Sequence, residues 1–77
     1  MERARPAGRG TVSVVTPGGW AIVFHQGERL GTTPGRFELE AGRQSIYIQP
    51  FGEGRKRRRA IEIRPNENTR VSMPVEQ

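Results

Sequence analysis

The chain has 77 residues, which leaves room for one small domain. It has no cysteine, which excludes disulfides and thiolate metal sites, and its 13 Lys and Arg against 8 Glu give a net charge of +5. No apolar run approaches the ~20 residues of a membrane-spanning helix, and the N-terminus lacks the apolar segment of a signal peptide.

The first ten residues, MERARPAGRG, have no apolar periodicity and contain three Arg, two Gly and one Pro. Such a composition cannot bury a core, so residues 1–10 are predicted to be a flexible linker or tail and residues 11–75 the folded domain. Because a globular domain seldom begins with a linker, we expect the chain to be a piece of a longer protein.

Beyond this segment, apolar and polar residues alternate in short runs, and no window shows the 3.6-residue period of an amphipathic helix. Pro and Gly separate the runs at intervals of about 8–12 residues, a spacing typical of sandwiches and small barrels. The prediction is an all-β fold, a small two-layer antiparallel β-sandwich of about six or seven short strands. Its predicted core residues are Trp20, Ile22, Phe24, Leu30, Leu39, Ile46, Ile48, Ile61, Ile63 and Val71.

The first two predicted strands are TVSVVT and WAIVFH, with the turn residues Pro17 and Gly19 between them. In the first, Val12 and Val14 share one side. The second is apolar on both sides, so alternation alone does not say which side is buried. Its two alternating sets are Trp20, Ile22 and Phe24 on one side and Ala21, Val23 and His25 on the other.

The stretch GERLGTTPG is predicted to be a corner. Gly27 and Gly31 tolerate positive φ angles, and Leu30 between them can point inward. Thr32 can hydrogen-bond a nearby backbone group and hold the corner. Pro34 removes a backbone donor, which suits a chain that leaves the edge of one sheet for another.

The next segment, RFELE, has the pattern of a half-buried strand with Leu39 on the core side. Glu38 and Glu40 lie on its other side, about 7 Å apart. We interpret them as solvent-facing residues and not as a catalytic carboxylate pair. Gly42 is then predicted to close a hairpin into SIYIQ, where Tyr47 is expected to face outward.

One feature could bind anions, the uninterrupted basic run of Arg55, Lys56, Arg57, Arg58 and Arg59. By alternation Arg57 and Arg59 share a face with Ile61, and two guanidinium groups cannot be buried there unpaired. We therefore expect the core part of this strand to begin at about Ala60, with the run in an exposed loop or an overhanging strand end. The run either contacts phosphate-rich partners or is a solvated edge that prevents aggregation. It contains no aromatic residue on which a base could stack, so a specific nucleic-acid partner is not expected.

Candidate catalytic residues are few, because the chain has no Asp, no Cys and a single His. His25 is interpreted as a surface residue at a strand end, since a nucleophilic triad needs a base oriented by a carboxylate. No His or carboxylate residues show the spacing of metal ligands. The domain is predicted not to be an enzyme and to hold neither a metal nor a cofactor.

Several of these elements, in this order, resemble the PEGA domain, a family named for a Pro-Glu-Gly-Ala tetrapeptide. The resemblance rests on Pro-Gly-Gly-Trp at 17–20, GTTP at 31–34, LEAG at 39–42 and Phe-Gly at 51–52, and it covers about residues 10–75. It implies a bacterial or archaeal β-sandwich that serves as an accessory domain, sometimes beside a Ser/Thr protein kinase domain, and has no known catalytic residues.

Two departures from the family pattern concern the second strand. Trp20 stands where the family has a small Ala, and one residue more than usual separates it from Gly27. An extra residue inverts the two faces of a strand unless a bulge absorbs it, so either set of WAIVFH can point inward. The set with Trp20 is favoured because it buries more apolar area, at ~25 cal/mol per Å².

The sequence thus predicts a non-catalytic accessory or interaction module of a bacterial multidomain protein, for example the C-terminal PEGA domain of a Ser/Thr protein kinase. Its expected partner is another protein or the rest of its own chain, with an anionic membrane surface as a further option through the basic run. A monomer is favoured, in the cytoplasm or facing the cell envelope. The alternative is a small basic SH3- or OB-like barrel that binds nucleic acid non-specifically.

Overall fold

The computed structural model of the chain describes residues 8–75. These residues form seven strands in two sheets, so the predicted all-β sandwich is confirmed. The described part of the chain contains no helix that is long and apolar enough to cross a membrane. The strands are β1 (Arg9–Val15), β2 (Ala21–His25), β3 (Glu28–Thr32), β4 (Gly35–Glu40), β5 (Gly42–Pro50), β6 (Arg57–Ile63) and β7 (Asn68–Ser72).

The predicted linker at residues 1–10 falls largely outside the described residues. Strand β1 begins at Arg9, two residues earlier than the predicted start of the domain. Gly10 is buried where β1 passes beneath the turn between β6 and β7, and a Cβ at this position would lie 2.2 Å from the Arg64 carbonyl oxygen. Gly10 therefore belongs to the packed domain, because only glycine allows this approach.

The strands are divided between a three-stranded sheet, β4-β1-β7, and a four-stranded sheet, β3-β2-β5-β6. Neighbouring strands are antiparallel except β1 and β7, which run parallel, so the antiparallel prediction is wrong for this pair. Parallel neighbours need a long connection, and here the rest of the domain connects them. The two separate sheets form a sandwich and not the SH3- or OB-like barrel of the alternative prediction.

The predicted corner at Thr33-Pro34 connects the edge strand β3 of one sheet to the edge strand β4 of the other, as expected. The peptide bond between these two residues is cis. The hydroxyl that holds the corner belongs to Thr33 and not to Thr32, because it accepts a hydrogen bond from the Ala21 N–H at 2.9 Å. The hairpin predicted at Gly42 is wrong, since β4 and β5 lie in different sheets with one residue between them.

A hairpin turn joins β2 and β3 at Gln26 and Gly27, whose φ angles are 53° and 82°. The prediction of a turn at Gly31 is wrong, since this residue lies inside β3. The ring of Phe37 lies against it, and a Cβ on Gly31 would come within 2.9 Å of Phe37 Cε1. Gly31 therefore makes room for a ring. The remaining predicted turn residues, Pro17, Gly19 and Pro34, lie in connections between strands.

The core lies between the two sheets and is built from aliphatic side chains. Leu30 and Phe37 are half-buried against it. The buried members of the core cluster are Val12, Val14, Ala21, Val23, Leu39, Ile46, Ile48, Ile61, Ile63, Val71 and Met73. Six of these are predicted core residues, namely Leu39, Ile46, Ile48, Ile61, Ile63 and Val71.

The prediction that three residues of the second strand lie in the core is wrong. Trp20 is 44% exposed, and Ile22 and Phe24 are only half-buried. Cross-strand neighbours in a sheet point to the same side, and β2 pairs Val23 with the fully buried Ile48 of β5. The smaller set of WAIVFH therefore faces the core. In the pairing of β2 with β3, Leu30 is the extra residue of a bulge.

Candidate binding surface

The outer side of the three-stranded sheet is almost entirely polar. The hydroxyls of Thr11 and Ser13 both donate to Asn68 Oδ1, at 2.7 and 3.1 Å, and Arg9 Nε lies 3.7 Å from Glu38 Oε1. Many of its polar groups are thus satisfied by one another. We call this surface the polar face; its members are Arg9, Thr11, Ser13, Val15, Arg36, Glu38, Glu40, Asn68, Arg70 and Ser72.

The outer side of the four-stranded sheet is different, because it combines large apolar side chains with cations. Trp20 and Tyr47 are the large hydrophobic residues that the described part of the chain exposes, at 44% and 38%. We call this surface the aromatic-basic face; its members are Trp20, Ile22, Phe24, Arg29, Thr32, Arg43, Ser45, Tyr47, Gln49, Phe51, Lys56, Arg58, Ala60 and Glu62.

One row of this face runs across all four strands. Phe24 of β2 is paired with Arg29 of β3 on one side and with Tyr47 of β5 on the other. Tyr47 is in turn paired with Arg58 of β6. Since side chains that are directly opposite each other lie on the same side of a sheet, the row places two neighbouring rings between two guanidinium groups.

Lys56 lies over this row from the loop before β6. Its Nζ is 3.9 Å from the centroid of the Phe24 ring, a cation–π contact. Phe24 is half-buried, and the ammonium group of Lys56 lies over the face of its ring. The contact therefore fixes a positive charge above the middle of the aromatic-basic face.

The end of the face beyond Ile22 is formed by Trp20 and Phe51, whose rings meet edge to face with centroids 6.4 Å apart. The Phe51 N–H donates to the Trp20 carbonyl at 2.7 Å. Two glycines make room for the rings: a Cβ on Gly19 would lie 2.4 Å from Phe51 Cζ, and one on Gly52 would lie 2.9 Å from Trp20 Cη2. Trp20 is therefore held against the protein and does not project freely.

The opposite end of the face contains a shallow depression of about 320 Å³. Its floor is formed by Ser45 and Ala60, which are paired across β5 and β6 and are both small. Arg43 and Arg58 line it, together with Glu62. The two guanidinium groups can approach an anion that enters the depression.

The basic run is not one patch. Arg55 and Lys56 lie in the loop before β6, and the three following arginines are the first residues of that edge strand; all five are exposed. Arg57 and Arg59 are paired with the buried Ile48 and Ile46, so alternation directs them toward the core side at the open edge of the sandwich. Lys56 and Arg58 belong to the aromatic-basic face.

The candidate catalytic residues lie apart from this face. His25 Nε2 is hydrogen-bonded to Gln44 Oε1 at 2.9 Å, and Glu38 and Glu40 are on the polar face. Within residues 8–75, no three His or carboxylate side chains come together in a way that could hold a metal ion.

Sequence reasoning found Lys56, Arg58 and the outward direction of Tyr47, but it assigned Trp20 and Phe24 to the core and so missed these two rings of the face. The signal was present, since WAIVFH is apolar on both sides. A strand with two apolar sides in a small sandwich leaves one of them facing outward. Nothing in the sequence indicated that Arg29 and Arg43 belong to this face, because only the strand register brings them there.

No protein-family model matches the chain, and neither a curated protein nor a solved structure matches it. The resemblance to the PEGA domain therefore stays a prediction.

Proposed function

We propose that this domain is a non-catalytic binding module that holds an anionic partner on its aromatic-basic face. The supporting observation is the difference between the two outer sides of the sandwich. One is polar and largely self-satisfied, whereas the other leaves Trp20 and Tyr47 exposed. Exposed apolar surface rimmed by polar groups is typical of interaction sites.

The excess of cations on the aromatic-basic face favours an anionic partner. The aromatic-basic face carries four cations, and Glu62 adds one carboxylate beside them. The polar face carries three cations and two carboxylates. Within residues 8–75, the ion pair joins Arg9 to Glu38 on the polar face, and the cations of the aromatic-basic face form none.

We also propose that the module acts as an accessory domain within a larger bacterial protein, as the PEGA resemblance implies, and a Ser/Thr protein kinase is one such parent. This part of the proposal rests on the sequence motifs alone. Finding a kinase domain in the same natural polypeptide supports it, and a natural polypeptide that contains nothing besides this domain contradicts it.

The binding role is tested with inorganic polyphosphate, a probe that offers negative charge without aromatic rings. The double variant Lys56→Gln/Arg58→Gln removes two charges from the aromatic-basic face, and Arg36→Gln/Arg70→Gln removes two from the polar face. We expect the first to weaken binding about tenfold in calorimetric titrations at low salt, because two phosphate contacts are lost, and the second to change it less than about twofold. Equal losses would show that binding follows net charge and not this face.

A further inference from the structure

We propose, building on the binding role of the aromatic-basic face, that its partner is single-stranded nucleic acid. Two properties of the face point to this class. It offers exposed rings on a sheet surface, and it surrounds them with cations that can follow a phosphate backbone. These are the two components of sequence-tolerant single-strand binding.

The rings available for stacking are Trp20 and Tyr47. Phe24 lies between them, but the charged Nζ of Lys56 occupies a position over its ring, so this site offers a cation in place of a stacking surface. Tyr47 is directly opposite Phe24, which is four residues from Trp20, so the two exposed rings are separated by about 13 Å along the strand direction. A flexible strand can place one base on each ring with further nucleotides between them.

The cations lie where the phosphates of such a strand would pass. Arg29 and Arg58 stand at the two ends of the row that contains Tyr47, and Lys56 is above its middle. Beyond Tyr47 lies the depression over Ser45 and Ala60, which Arg43, Arg58 and Glu62 line. The resulting path runs from Trp20 past Tyr47 to the depression.

The arrangement of the rings disfavours the two other anionic partners. A membrane anchor inserts apolar side chains beyond the protein surface, whereas Trp20 is held against Phe51 and Gly52. Duplex DNA keeps its base faces stacked and presents only edges in its grooves, so exposed rings gain nothing from it. Single strands are the polyanions whose aromatic faces are free.

The test is fluorescence anisotropy with an oligo(dT) of about 12 nucleotides, a length within the range that single-strand sites cover. At about 0.15 M salt we expect a dissociation constant of roughly 10⁻⁶ to 10⁻⁴ M. Trp20→Leu and Tyr47→Val each remove one stacking ring and keep an apolar side chain. Each should weaken oligo(dT) binding by roughly 5- to 150-fold, the range for one stacked base, and change polyphosphate binding by less than about twofold.

Thermal unfolding of both variants verifies that they fold, and Tyr47→Val changes an exposed side chain, so it remains informative if Trp20→Leu does not fold. Unchanged oligo(dT) binding in Tyr47→Val would overturn the proposal. So would tighter binding to duplex DNA of the same length, or to phosphatidylserine vesicles, than to oligo(dT). If the polyphosphate experiment supports the face while these results fail, the binding role stands and only the identity of the partner is wrong.

Discussion

Two buried threonine hydroxyls, of Thr16 and Thr33, join the start of β2 to the corner between the sheets. Each residue is 5% exposed. The Ala21 N–H donates to Thr33 Oγ1 at 2.9 Å, and the Thr16 hydroxyl donates to the Gly19 carbonyl at 3.1 Å. Because each hydroxyl has one proton, Thr33 donates the bond that links the pair. The short network positions the residues on either side of Trp20.

This network predicts a specific loss in Thr33→Val. Valine has nearly the shape of threonine but leaves the Ala21 N–H without its acceptor. We expect the free energy of unfolding to fall by about 1–3 kcal/mol. Thr33→Ser keeps the hydroxyl and loses one methyl group, so it should cost about 1 kcal/mol or less. Urea denaturation compares the two variants, and a valine variant as stable as the wild type would show that the network contributes nothing.

Among the strands, β2 shows where sequence reasoning fails. In β4, β5 and β6 a polar residue marks the outer side of each pair, so the core positions Leu39, Ile46 and Ile61 follow from alternation. In β2 both sides are apolar, and apolar area alone favours the wrong side. The register with β5 determines the outcome, since Val23 pairs with Ile48, and that pairing is a non-local contact that a single strand does not encode.

The same strand gives a test of its orientation. Val23→Thr places a hydroxyl in the closed core, whereas Ile22→Thr places one on the half-buried outer side. We expect Val23→Thr to lower the free energy of unfolding by about 1–3 kcal/mol, because the hydroxyl has no partner there. Ile22→Thr should cost less than about 1 kcal/mol, because its hydroxyl can reach water. Chemical denaturation gives the order of the two values, and the reverse order would mean that β2 presents its other side to the core.

Strand β6 shows a partial success. The exposure of Arg57 and Arg59 follows from the cost of burying unpaired guanidinium groups, as the sequence predicts. The division of the basic run between two sides of the sheet also follows from alternation. The aromatic neighbours of Lys56 and Arg58 do not follow from alternation, because Phe24 and Tyr47 come from two other strands. The basic run in the sequence therefore does not show which aromatic rings lie beside its cations.

The molecule as a whole is a sandwich with two unlike outer sides. Both sheets share one aliphatic core. In the three-stranded sheet, the first strand, β1, pairs in parallel with the last strand, β7. The fold class and most of the core are predictable, because they depend on local alternation and on turn residues. The composition of the aromatic-basic face is not, since it depends on the register among four strands.

The position of the partner can be read directly from a two-dimensional nitrogen–proton NMR spectrum recorded while the oligo(dT) is added. We expect the indole N–H of Trp20 and the backbone amides of Tyr47 and Arg58 to shift. The amides of Ser13 and Arg70, on the polar face, should stay in place. Shifts concentrated on the polar face, or no shift at any amide, would contradict the assignment of the aromatic-basic face as the binding surface.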